Sequence, residues 1–364
     1  MRVAGKIKLA PGERIRALVV DDSVIIRRLV THALGEDPSV EVVGSAANGV
    51  IALKMIPILK PHVVTLDIEM PEMDGLETLR QIRKTNPNLI VIMFSTLSER
   101  GAAITLEALT LGANDYVTKV ANVGSLDQSM ARLRSELVPK FKQFFALGSD
   151  PLPVQSVRNV TTSPLPKPIS TGKARIACQA VVVGVSTGGP PALATLMPML
   201  PPDFRQPILI VQHMPPVFTR LLAERLQTLT KLRVREAAEG MLVEPGNVYI
   251  APGDYHMKVV RKGNGVLITL DQAEPENSCR PAVDVLFRSA ADVWGGGAMS
   301  VILTGMGRDG LRGIERLRAL GSYVVAQDEA SSVVWGMPGA VVTAGLADSV
   351  VDLSCVVPEI QRHL

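Results

Sequence analysis

The sequence predicts an α/β protein built as two doubly wound parallel-sheet domains joined by a proline-rich linker. Three observations carry this expectation. Short β-branched apolar runs alternate with amphipathic stretches of helical length over 14–138, and do so again over 176–364. The intervening segment, placed at 139–175, breaks that pattern. Gly148 to Gly172 holds Pro151, Pro153, Pro164, Pro166 and Pro168 among serines and threonines, which reads as a semi-extended connector. At 364 residues the chain is also long for a single hydrophobic core.

Composition narrows the function. Hydrophobic residues at 47% and charged residues at 20% suit folded domains rather than a disordered chain. A net charge of +3, with no basic stripe and only 4% aromatics, argues against nucleic acid as a partner. Cys178, Cys279 and Cys355 are far apart and unpaired in pattern, which disfavours a disulfide framework or a zinc site and suits a reducing compartment. Met1 to Arg16 has no apolar core of a signal peptide, and no apolar run is long enough to insert in a membrane. The expected location is the cytoplasm.

In the first domain, Ile15–Val20, Val40–Gly44, His62–Leu66, Leu89–Phe94 and Asp115–Val117 read as buried strands. Val24–Leu34, Gly49–Leu59, Gly75–Lys84, Gly101–Leu111 and Ser125–Leu137 read as the helices between and after them. Function in such sheets collects at the C-terminal strand ends. Asp21 and Asp22, Asp67, Ser95 and Thr96, and Lys119 all fall there. One such acid alone reads as a helix N-cap, as Asp22 does before Ser23-Val24. Three carboxylates converging at one edge instead call for a hard cation such as Mg²⁺. With the Lys119 charge and the Ser95 hydroxyl, the pocket suits a phosphoryl group carried on a carboxylate.

Val19-Val20-Asp21-Asp22-Ser23, Leu66-Asp67-Ile68-Glu69-Met70-Pro71 with Met73-Asp74-Gly75, and Asp115-Tyr116-Val117-Thr118-Lys119 together resemble a response-regulator receiver domain. The resemblance implies a flavodoxin-like fold in which Asp67 accepts phosphate from a histidine kinase. It implies Mg²⁺ held by Asp22, Asp67 and the backbone carbonyl of Glu69, with Asp21 beside it. Ser95 and Lys119 would contact the phosphoryl group, and Tyr116 would be the switch aromatic. The family usually has proline after the lysine, where this chain has Val120.

In the second domain, Ala180–Val183, Pro207–Gln212, Val248–Ala251, Met299–Leu303 and Tyr323–Ala326 read as core strands. Met257–Val260 and Gly265–Leu270 read as a hairpin turning at Lys262-Gly263-Asn264. Helices are expected after Pro190, Pro216, Pro281 and Asp309. The first strand runs into Gly184-Val185-Ser186-Thr187-Gly188-Gly189, a Gly-x-Ser-x-Gly turn that exposes a serine at a helix N-terminus. Such a turn also occurs with an unreactive serine, or as a phosphate cradle. A nucleophile needs a base and an orienting acid. His213 follows the second strand at the same edge, and Asp309 follows a buried strand in Thr304-Gly305-Met306-Gly307-Arg308-Asp309-Gly310. His256, at the entry of the hairpin, is the competing histidine. Asp309 alone reads as an N-cap. Three candidate members at three strand ends favour catalysis.

Gly184 to Pro190, Gln212-His213-Met214-Pro215, Arg280 to Phe287, Thr304 to Gly310 and Ala326-Gln327-Asp328-Glu329 resemble a CheB-type protein-glutamate methylesterase, whose catalytic domain is a Rossmann-like three-layer fold. The resemblance implies Ser186 as nucleophile, His213 as general base and Asp309 as its orienting acid. It implies hydrolysis of glutamate γ-methyl esters on the cytoplasmic helices of chemoreceptors, and some members also deamidate glutamine. No cofactor is expected for this chemistry. Backbone amides of Thr187 and Met306 are the expected oxyanion donors. Cys279 stands where the family has histidine, a departure expected to bear on substrate contacts more than on chemistry. Two other readings are weaker. A receiver coupled to a transcription module lacks a helix-turn-helix pattern in the second half. A nucleotide site lacks the G-x-G-x-x-G spacing and a P-loop lysine.

Overall fold

The computed structural model describes residues 7–119, 126–146 and 177–364. Val120 and residues 147–176, which include most of the expected linker, lie outside the described residues.

The first domain begins with β1 (Ile7–Lys8), β2 (Ile15–Val20), α1 (Val24–Gly35), β3 (Val40–Ala46) and α2 (Gly49–Leu59). It continues with β4 (Val63–Asp67), α3 (Gly75–Thr85), β5 (Ile90–Ser95), α4 (Glu99–Thr110), β6 (Asp115–Thr118) and α5 (Leu126–Lys142). Five strands form one parallel sheet in the order β3-β2-β4-β5-β6. Every residue of β4 and β5 is buried, as continuous apolar runs require when helices cover both faces. Side chains of Ser23, Asn48, Asp74 and Ser98 accept the amide three residues on and so fix the starts of α1 to α4. Strand order reverses between β2 and β4, which opens a crevice at their C-terminal ends. Helix α5 continues past Leu137 through Pro139 to Lys142, so the amphipathic stretch before the linker extends the last helix of the first domain. Burial of Phe141, Phe144 and Phe145 in the sheet's core draws the chain on, and β7 (Phe145–Ala146) pairs in parallel with β1.

The second domain opens with β8 (Ala180–Val185), α6 (Gly189–Leu196), β9 (Ile208–Gln212), α7 (Phe218–Gln227), β10 (Arg233–Glu236) and β11 (Asn247–Ile250). The hairpin β12 (His256–Lys262) and β13 (Gly265–Asp271) follows, then α8 (Val283–Trp294), β14 (Ala298–Ile302) and α9 (Leu311–Ala319). The chain ends with β15 (Val324–Gln327), α10 (Met337–Thr343), β16 (Ser349–Val351) and α11 (Val356–Arg362). Seven parallel strands take the order β10-β11-β9-β8-β14-β15-β16. The chain winds outward from β8 on one side and returns through β14 on the other, so the switch point lies at β8. In the sheet register Val185 pairs with Gln212, and Gly184 with Ile302. The loops after β8, β9 and β14 therefore leave the sheet at one edge. β10 and β16 were not expected. As edge strands they carry little fully buried surface, so neither has the apolar run that marks β8 or β9.

The two domains pack together. Leu106 and Leu109 of α4 share one hydrophobic cluster with Leu193 and Leu196 of α6 and Leu222 of α7. Tyr116 of β6 stacks on Phe218 at the start of α7, with ring centroids 4.9 Å apart and planes 8° from parallel. Arg220 of α7 pairs with Glu99 of α4. Among the described residues no helix is long and apolar enough to cross a membrane.

Candidate functional site

At the crevice of the first sheet, carboxylate oxygens of Asp21, Asp22 and Asp67 lie within 4.8 Å of one another. Asp22 is not a helix cap, because Ser23 takes that place. Lys119 Nζ sits 2.9 Å from Asp21 Oδ2 and 2.8 Å from Asp67 Oδ1. Burial pushes the Asp67 carboxyl up to about 6 and the Asp21 charge adds to this, while Lys119 pulls the other way. Burial works against the Lys119 charge, but its bonds to Asp67 and Asp21 win and raise it. Three hard oxygens converging beside one lysine fit a Mg²⁺ ion. Glu69 lines the same cleft.

Ser95 is at the right strand end but its hydroxyl is turned elsewhere. It lies within hydrogen-bond distance of the Gly101 and Thr96 carbonyls and accepts from Thr105 Oγ1 at 2.7 Å. Thr96, one residue on, lines the cleft with Asp67 and Lys119. Tyr116 is half-buried in the domain interface rather than free, and burial holds its hydroxyl well above the usual range.

In the second sheet the turn after β8 is held by its neighbours. Ser186 N donates to Thr304 O at 3.0 Å, and the buried Gln212 side chain donates Nε2–H to Ser186 O at 3.0 Å. A Cβ on Gly189 would lie 1.8 Å from Gln212 Oε1, so only glycine admits that side chain. Gly188, at φ 80°, turns the chain into α6. His213 N donates to Val185 O at 3.2 Å, which sets the histidine beside the strand end that carries Ser186. A Cβ on Gly305 would lie 2.8 Å from Ser186 Cβ, so the Gly305-Met306-Gly307 turn lies directly on the serine.

His213 Nε2 is 2.8 Å from Asp309 Oδ2. Asp309 does cap a helix, though not the one that follows it. Its oxygens accept from Val283 N at 2.7 Å and Asp284 N at 3.0 Å, at the start of α8, and from Gly310 N at 3.0 Å. Helix α9 has Gly310 as the residue before its start, at φ 94° and with no side-chain cap. Burial alone would push the His213 imidazole down, but the Asp309 carboxylate, aided by Cys279, holds it above its ordinary 6.5. Burial likewise opposes the Asp309 charge, yet the bond to His213 and the α8 amides keep its carboxyl below the usual range. His256 is elsewhere and fully occupied. It is 1% exposed, its Nδ1 accepts from Ala282 N and its Nε2 faces Glu274 O.

Two features escaped the sequence reading. Asn277, in an exposed turn, donates to both Asp309 and Asp284. Thr187, the residue after the serine, reaches into the first domain: its Oγ1 lies 3.1 Å from Asp115 Oδ2 and 3.3 Å from Gln143 Oε1. Between the domains is a cavity of about 660 Å³, lined by Leu97, Tyr116 and Lys140 on one side and His213, Met214 and Cys279 on the other.

A family model described as CheB methylesterase matches residues 181–360, and one described as response regulator receiver domain matches residues 17–131. The chain is 50% identical over 351 residues to a protein-glutamate methylesterase/protein-glutamine glutaminase of Trichodesmium erythraeum, covering 96% of this chain and 99% of that one. A protein of the same description from Nocardioides sp. is 51% identical over 358 residues, covering 97% of this chain and 96% of its own. The crystal structure of the Thermotoga maritima CheB methylesterase catalytic domain is similar at 41% identity and a TM-score of 0.51, covering 52% of this chain and 100% of that one.

Proposed function

Because this chain belongs to the CheB family of protein-glutamate methylesterases/protein-glutamine glutaminases and carries a response-regulator receiver domain, we propose that Ser186, His213 and Asp309 form its hydrolytic triad. The observation that carries this is the 2.8 Å contact of His213 with a buried, amide-held Asp309 at the sheet edge bearing Ser186. With Nε2–H donated to Asp309, Nδ1 is left to take the serine proton. Ser186 Oγ attacks the γ-carbonyl of a methylated glutamate on a chemoreceptor helix. The oxyanion rests on the backbone amides of Thr187 and Met306. Collapse of the adduct breaks the C–O bond, and His213 gives its proton to the departing methoxide, releasing methanol. Water, deprotonated by His213, then attacks the acyl-enzyme and frees a glutamate carboxylate and Ser186. A glutamine side chain would follow the same course with ammonia as the leaving group.

The receiver supplies control. Asp67 takes a phosphoryl group from a histidine kinase in the cytoplasm, and Lys119 neutralises charge on that group. Asp21, Asp22, Asp67 and the Glu69 carbonyl would hold Mg²⁺, which supplies charge neutralisation for phosphoryl transfer. The unphosphorylated receiver covers the esterase face. Support comes from the Thr187 contacts with Asp115 and Gln143, and from His213 lining a cavity whose far side is formed by receiver residues. Phosphorylation favours an arrangement in which that face is open. Methanol release from a methyl-esterified chemoreceptor, with and without acetyl phosphate, tests both halves. Ser186→Ala should abolish release, and Asp67→Asn should keep the resting rate but lose the response to acetyl phosphate. Full activity in Ser186→Ala would reject the nucleophile.

A further inference from the structure

The triad reading leaves one arrangement beside Asp309 unexplained, and the following inference rests on that reading. Asp309 and Asp284 are 2% and 1% exposed and lie close together at the start of α8. Two buried carboxylates held this near each other repel, and such a pair favours taking up a proton. Asp309 can orient His213 only as a carboxylate that accepts its N–H. A proton taken up by Asp309 would compete for the same oxygens.

Asn277 stands over this pair. Its Nδ2 lies 2.8 Å from Asp309 Oδ1 and 3.0 Å from Asp284 Oδ2, so one side-chain amide has a hydrogen for each carboxylate. The residue itself is exposed while both acids beneath it are buried. The backbone is shaped to hold it there. Glu276 N donates to Cys279 O and Cys279 N donates to Glu276 O, which closes a two-residue turn. Asn277 and Ser278 occupy that turn at φ 53° and 62°, a left-handed pair that asparagine tolerates and most residues do not.

We propose that Asn277 is a positioning residue for Asp309, its neutral amide separating the two carboxylates so that Asp309 keeps both its charge and its aim at His213. Every other group around the pair has a different task. Asp309 Oδ2 is taken by His213 and Val283 N, and its Oδ1 also accepts from the amides of Asp284 and Gly310. Asp284 Oδ1 accepts from Gly313 N at 2.7 Å, tying α8 to α9. Glu276 is engaged by both Arg288 nitrogens, at 2.7 and 2.6 Å, and among the described residues neither of the two hydrogen-bonds to Asp309 or Asp284. Asn277 alone among these groups donates to both acids.

The test uses the full chain activated with acetyl phosphate, reading methanol release from a methyl-esterified chemoreceptor. Asn277→Gly removes the amide and relaxes the turn, because glycine is at ease at this φ. Its kcat is expected to fall about 10- to 100-fold with KM within about twofold, the size of effect that misplacing a catalytic group produces. Removing one of the two charges should repair much of this. Asn277→Gly combined with Asp284→Asn is expected to recover several-fold over Asn277→Gly alone, well above the product of the two single effects. A merely structural turn residue would show no such rescue. If Asn277→Gly does not fold, the isosteric Asn277→Asp carries the test and should lose at least as much kcat. Wild-type kcat in Asn277→Gly or Asn277→Asp, or strictly multiplicative losses in the double variant, would overturn the assignment. Asp309→Asn in the same assay separates the two levels. If it is inactive while Asn277→Gly is normal, only the positioning role fails; if it is fully active, the triad and the positioning role fail together.

Discussion

At the scale of the residue, the pairing of His213 with Asp309 sets how the enzyme should respond to pH. A general base works only when neutral, and Asp309 holds His213 above its ordinary 6.5. kcat/KM is therefore expected to rise with pH along an acid limb that lies above 6.5, which a pH–rate profile will show. The stability linkage has the opposite trend. A histidine whose value is raised by folding stabilises the folded state fully below about 6.5 and loses that contribution as pH rises through the raised value. His256 provides the contrast. Its two buried hydrogen bonds tie Glu274 and Ala282 together without touching Ser186, and replacing it strands a buried amide at a cost of about 1–3 kcal/mol. His256→Ala should lower Tm while keeping most of kcat, whereas His213→Ala should lose kcat by about 10³-fold or more. Choosing between these histidines was within reach of the sequence, because His213 directly follows a buried strand and its position is fixed by the sheet. Asn277 was not within reach. It lies in an irregular turn whose course depends on the acids beneath it, and no spacing rule points from residue 277 to residue 309.

At the scale of the element, strand ends and helix starts do most of the positioning. The close approach of the loop after β14 to the turn after β8 is possible only because Gly305 has no side chain. A methyl group there would sit 2.5 Å from Met337 Sδ and 2.8 Å from Ser186 Cβ. Gly305→Ala is expected to lower kcat by about 10- to 100-fold by displacing the serine, with a stability cost of about 1–3 kcal/mol, checked by steady-state kinetics beside thermal unfolding. The central strands were legible because each is a short, mainly apolar run buried between helices. The end of α5 was legible only as an amphipathic stretch that could extend the helix, since Pro139 lacks an N–H and normally ends one, whereas here the phenylalanines beyond it are buried in the core and carry the chain onward. Asp309 misleads in a related way. It has the sequence position of a cap for α9, yet its carboxylate serves the start of α8, and only the fold brings that helix to it.

At the scale of the whole molecule, the two domains are joined by a set of contacts that local sequence patterns could not reveal. Thr187 and Asp115 are 72 positions apart and belong to different domains, and hydrophobic periodicity builds each core without saying which surfaces meet. The Tyr116–Phe218 stack is the contact most open to test. Aromatic pairs contribute about 0.5–1.5 kcal/mol beyond the area they bury, so Tyr116→Ala should raise the unphosphorylated rate by up to about tenfold and shrink the response to acetyl phosphate. An unchanged resting rate would mean that closure depends on the Thr187 contacts or the α4–α7 packing instead. The same ring pair has a consequence in time. Parting the domains exposes two aromatic faces to water, and that exposure favours their return. Under the control proposed above, an open chain that loses its phosphoryl group has a built-in drive to shut, and the stack would help set how long one signalling event lasts.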